Sequence, residues 1–74
     1  MLISTEIALL RYIETRRVAY ADDFAPSQTR VLENLAANTG TVEKSDGVPS
    51  WWTVTTRGRE AIAEYDREQA FING

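Results

Sequence analysis

Between Pro26 and Gly58 the apolar residues change period twice, and this limits the folds open to the chain more than any other feature. From Ser27 to about Asn38 they recur at helical spacing, in Thr41–Lys44 and Trp51–Val54 they alternate, and from Thr55 helical spacing returns. A period near 3.6 marks an amphipathic helix and a period of 2 a half-buried strand. Gly40 stands at the first change, where a left-handed residue ends a helix. Ser45-Asp46-Gly47-Val48-Pro49-Ser50 separates the two alternating runs and is rich in turn residues. The segment is predicted as helix, two-stranded ribbon and helix in unbroken succession.

Ser27 follows the proline break as the expected N-cap of the middle helix. At 100° per residue, Val31, Leu32, Leu35 and Ala36 share one arc, and Thr29, Arg30, Glu33, Asn34 and Ala37 lie opposite. The first set is expected to pack inward and the second to meet a partner. On the ribbon, alternation puts Val42, Trp52 and Val54 on the core face and Trp51 and Thr53 on the other. Trp51 is then either packed on the tip or a helix, or part of a contact surface.

Before the ribbon, Ser4 or Thr5 is the expected cap of a first helix, with Glu6 in its first turn. Ile3, Ile7, Leu10 and Ile13 form one stripe with Leu9 on its flank, and Arg16 and Arg17 close the helix. Val18-Ala19-Tyr20 reads as a brief strand lying against the ribbon. Ala21–Ala25 leaves room for a turn or two of helix, capped by Asp22 or Asp23 and anchored in the core by Phe24. Adjacent carboxylates do not face each other on a helix, so this pair reads as a cap and not as a metal site.

The last helix is expected from Thr56 to Gln69 or slightly beyond. Gly58, Ala61, Ile62, Tyr65, Gln69 and Ile72 share its inner arc, while Phe71 falls off it. Glu60, Glu64 and Glu68 stack one turn apart, where like charges cost about 0.2–0.5 kcal/mol per pair.

At 74 residues the chain reads as one domain, residues 1–74, burying about 60% of its unfolded surface. It has neither cysteine nor histidine. That removes disulfides, thiolate and imidazole metal sites and the commonest general base, so no enzyme, cofactor or metal is expected. No apolar run approaches a membrane span and no positively charged leader precedes one, which sets a cytoplasmic expectation with no membrane partner. The net charge is −3. Up to Arg59 acids and bases balance, and the deficit arises from residue 60 onward, where Glu60, Glu64, Asp66 and Glu68 are set against a single base, Arg67.

At Val54-Thr55-Thr56-Arg57-Gly58-Arg59-Glu60-Ala61-Ile62 the chain resembles the end of the wing in winged-helix transcriptional regulators of the MarR and PadR kinds. There the second wing strand runs into Leu-Thr, two variable residues, and Gly-Arg-Glu. Valine replaces the leucine here; the threonine and the Gly-Arg-Glu match. The resemblance implies an α+β, winged helix-turn-helix fold: a three-helix core, a wing of two or three strands, and a C-terminal helix. The chain departs from the family in its short second helix and in a recognition helix with one base, Arg30, balanced by Glu33.

Two functions are carried forward. In the first, the chain is a transcriptional regulator binding double-stranded DNA. Arg30 and Asn34 address base edges in the major groove, Ser27, Gln28 and Thr29 hold phosphates at the helix N-terminus, and Lys44 adds a wing contact. Few charged phosphate contacts per chain imply a homodimer, through the C-terminal helix with Tyr65, Phe71 and Ile72. In the second, the chain is a protein-interaction module that meets a basic protein partner through Glu60, Glu64 and Glu68, with Trp51 and Phe71.

Overall fold

The computed structural model describes residues 2–73, the side chains of Ile72 and Asn73 excepted. In chain order the elements are α1 (Ser4–Arg16), β1 (Ala19–Tyr20), a single 3-10 turn (Ala21–Asp23), α2 (Pro26–Asn38), β2 (Val42–Ser45), β3 (Trp51–Val54) and α3 (Thr56–Asn73). The fold is α+β. Its three strands form one antiparallel sheet in the order β1-β3-β2.

The apolar stripes build one core. Ile7, Leu10 and Ile13 of α1, Leu32 and Leu35 of α2, and Ala19, Val42, Trp52 and Val54 of the sheet are buried together. Phe24 packs against this cluster and meets the Tyr12 ring edge-on, with centroids 5.5 Å apart. On the inner arc of α2, Val31 and Ala36 are half-buried beside the two leucines. In α3, Gly58 is buried and Ala61, Ile62, Tyr65 and Gln69 are half-buried, while the expected inward placement of Ile72 lies outside the described side chains.

Several helix ends differ from the sequence reading, for one physical reason. Ile3, not Ser4 or Thr5, is the N-cap of α1, and it is 62% exposed instead of joining the inner stripe. Ala25, not Ser27, is the N-cap of α2, with Pro26 inside the helix. Neither cap has a side-chain oxygen. The capping residue's own N–H is instead satisfied from the third helical position: Ile3 donates to Glu6 Oε1 at 2.9 Å and Ala25 to Gln28 Oε1 at 2.8 Å. Asp23 serves the 3-10 turn likewise, accepting from the Tyr20 N–H at 3.2 Å. The segment before Pro26 thus makes one turn.

Strand β2 begins one residue later than alternation suggests, at Val42. Thr41 stands just before the strand: it is 4% exposed, its hydroxyl lies 2.8 Å from that of Thr39, and its carbonyl accepts the Thr55 N–H. Register pairs Val42 with Val54, Lys44 with Trp52, and Tyr20 with Trp51. Val42, Trp52 and Val54 are buried as expected. Trp51, on the other face, is half-buried rather than free. Its ring lies against Gly47, so closely that a β-carbon there would overlap it.

The molecule measures 44 × 21 × 20 Å. Arg11 of α1 pairs with Asp66 of α3. No helix among the described residues is long and apolar enough to cross a membrane.

Candidate functional site

The outer arc of α2 carries the residues singled out for nucleic-acid contact. With Leu32 and Leu35 buried, the opposite side exposes Ser27, Arg30, Glu33, Asn34, Ala37 and Asn38. Among the described residues, neither Arg30 nor Asn34 has a side-chain hydrogen bond or ion pair within the chain. Helix amphipathicity accounts for the arrangement: the side that leaves the core is polar, and nothing from the sheet or α1 covers it.

The remaining expected contacts are distributed differently. Gln28 is exposed, but its amide oxygen is engaged by the Ala25 N–H. Thr29 sits on the flank of the arc, half-buried, and its hydroxyl donates to the Ala25 carbonyl at 3.3 Å. Both side chains serve the start of α2. Lys44 shares the inner sheet face with its register partner Trp52, and its ammonium lies 5.8 Å from the Trp52 ring centroid. It closes the edge of the core while its residue remains exposed.

One cation near α2 escaped the sequence reading. The Arg57 side chain runs past Gly40, whose backbone has φ +66°; a β-carbon on Gly40 would stand 3.8 Å from Arg57 Cδ. A guanidinium near the C-terminal end of a helix is favoured by the helix dipole. Arg57 lies three residues beyond Val54, the last strand residue that alternation tests, so only the folded chain brings it beside Gly40.

The Val-Thr-x-x-Gly-Arg-Glu stretch forms a joint between the ribbon and α3. The Thr55 hydroxyl accepts the Gly58 N–H at 3.2 Å and donates to the Gly40 carbonyl at 2.5 Å. The Thr55 N–H donates to the Thr41 carbonyl at 3.0 Å. Arg59 donates to the Val54 carbonyl at 3.2 Å and to the Thr56 hydroxyl at 3.3 Å, and it comes within 3.8 Å of Glu14. These residues hold α3 to the sheet and to α1.

The residues of the interaction alternative are divided between β3, which holds Trp51, and α3, which holds the others. Glu60 and Glu64 are exposed and Glu68 is half-buried. Glu64 and Glu68 border a cleft against α1, and Glu60 does not. Trp51 packs on the ribbon tip, whereas Phe71, 88% exposed, stands near the far end of α3.

A second, wider groove of about 480 Å³ opens between α1 and the start of α2. Leu9, Tyr12, Phe24 and Val31 give it apolar walls. Comparison with known protein families, with curated proteins and with solved structures gave no match.

Proposed function

We propose that the chain is a small winged-helix DNA-binding protein, a transcriptional regulator that reads the major groove with α2. One observation carries the reading: the exposed arc of α2 offers Arg30 and Asn34 with no partner inside the chain among the described residues. A guanidinium and a carboxamide on one helical face are the donors and acceptors that guanine and adenine edges match. Ala37 on the same arc lets the helix approach closely. The N-terminus of α2, with Ser27, suits a phosphate. Element order from α1 to α3, with a ribbon directly after α2, supports the winged-helix assignment.

The charge budget makes this a weak monomeric binder. Arg30 shares its arc with Glu33, and affinity falls steeply as fewer phosphates are neutralised. Two copies on paired half-sites, joined through the exposed end of α3 at Phe71, would supply the missing contacts. Fluorescence anisotropy of labelled random duplex at low salt tests the reading. Binding should weaken as salt rises, and Arg30→Ala should weaken it further by removing one charged contact. Binding that is indifferent to both would contradict it.

Phe71 also favours a second reading, a protein-interaction module using α3 toward a basic partner. Reversing the charge at Glu64 and Glu68 should then abolish capture of that partner while leaving the fold intact, and unchanged capture would dismiss this alternative.

A further inference from the structure

We propose that the cleft between α1, the end of α2 and α3 binds a small amphipathic amine, a protonated nitrogen on a short apolar body. The cleft holds about 210 Å³, less than the roughly 300–1,000 Å³ typical of sites for drug-sized ligands. Leu2, Ile7 and Ala61 give it an apolar lining, Tyr65 adds an aromatic ring, and Glu64 and Glu68 add two carboxylates one helical turn apart.

The polar groups inside are unequally satisfied, and this selects the ligand. Thr39 and Thr41 also line the cleft, but their hydroxyls bond each other at 2.8 Å, and Thr39 donates to the Leu35 carbonyl at 2.6 Å. They hold no strong claim on a ligand. Neither carboxylate has an ion-pair partner among the described residues, where the ion pairs are Arg11 with Asp66 and Arg59 with Glu14. No lysine or arginine lines the cleft. A cation relieves the repulsion between Glu64 and Glu68 and has the Tyr65 ring in the same lining. Among the described residues of the lining an anion meets like charge, and a neutral apolar molecule gains burial alone. The proposal stands apart from DNA binding, because no residue of the outer arc of α2 lines this cleft.

The test is a titration of the uniformly 15N-labelled chain with hexylammonium chloride, hexan-1-ol and sodium hexanoate at one ionic strength, followed by amide chemical shifts. Hexylammonium should move the amides of Thr39, Thr41, Ala61 and Tyr65 saturably, and bind roughly three- to tenfold more tightly than the alcohol. Hexanoate should not bind. Glu64→Gln with Glu68→Gln should lower the amine to the affinity of the alcohol, while Glu60→Gln, outside the cleft, should change nothing. Both variants keep side-chain size, and their circular dichroism should match that of the parent. Equal affinity for amine and alcohol, an amine response that survives the double substitution, or no saturable shift at these residues would each overturn the proposal.

Discussion

Gly58 of α3 lies directly against the Thr41 carbonyl oxygen, so that a β-carbon at this position would overlap both that oxygen and Val54 Cγ1. Glycine here is a matter of close approach between a helix and the backbone leading into a strand. Alanine in place of glycine in a helix ordinarily gains about 1 kcal/mol. Overpacking a tight site costs about 1–3 kcal/mol or more, and the atom in the way is backbone, which cannot swing aside. Gly58→Ala should therefore destabilise the chain by about 1–3 kcal/mol. Urea unfolding would show a lower midpoint at an unchanged slope, and a midpoint equal to or above that of the parent would refute the packing argument.

Thr55 predicts a contrast between two substitutions. Its hydroxyl both caps α3, through the Gly58 N–H, and ties the ribbon to Gly40. Thr55→Val keeps the shape and loses both bonds, with an expected cost of about 1–2 kcal/mol. Thr55→Ser keeps the oxygen and should lose well under half of that. Thermal unfolding of the two variants measures the difference; equal midpoints would mean the hydroxyl contributes nothing.

The start of α2 can be improved. Ala25 has the extended backbone of an N-cap (φ −68°, ψ 157°), but it offers no side-chain oxygen to the helix. Ala25→Ser supplies one and should raise stability by about 0.5–1 kcal/mol, read as a higher urea midpoint. No gain would show that the Gln28 contact already meets the need.

Arg17 closes α1 with φ 67°, a backbone conformation that costs a side-chain-bearing residue about 1–2 kcal/mol. Arg17→Gly should recover part of this, about 0.5–1 kcal/mol, because the glycine also has more freedom to lose on folding. A fall in thermal midpoint would contradict the assignment of strain to this position.

These positions also mark how far the sequence could be read. The change of period at Gly40 and Thr55 placed the helices and strands, and alternation put Val42, Trp52 and Val54 inside, because burial of one face leaves a direct trace in residue order. Caps were legible only in part. Ser4, Thr5 and Ser27 have the right side chains, yet Glu6 and Gln28 reach back to Ile3 and Ala25, and Pro26 prefers the first helical position to the break before it. The role of Lys44 over Trp52, the approach of Arg57 to Gly40 and the separation of Glu60 from the cleft depend on contacts between distant segments. No local pattern encodes them. The outer arc of α2 was legible from helical period alone, apart from Gln28 and Thr29, which the start of the helix engages.

The outer arc of α2 is the face proposed to meet DNA. The most direct measurement is the map of backbone amide shifts when random duplex is added to the 15N-labelled chain at low salt. Shifts should concentrate on Ser27, Arg30, Asn34 and their α2 neighbours, with smaller ones at Lys44, and all should fade as salt is raised. Shifts confined to α3 around Glu64 and Phe71, or no change at any ratio of DNA to protein, would contradict the proposal.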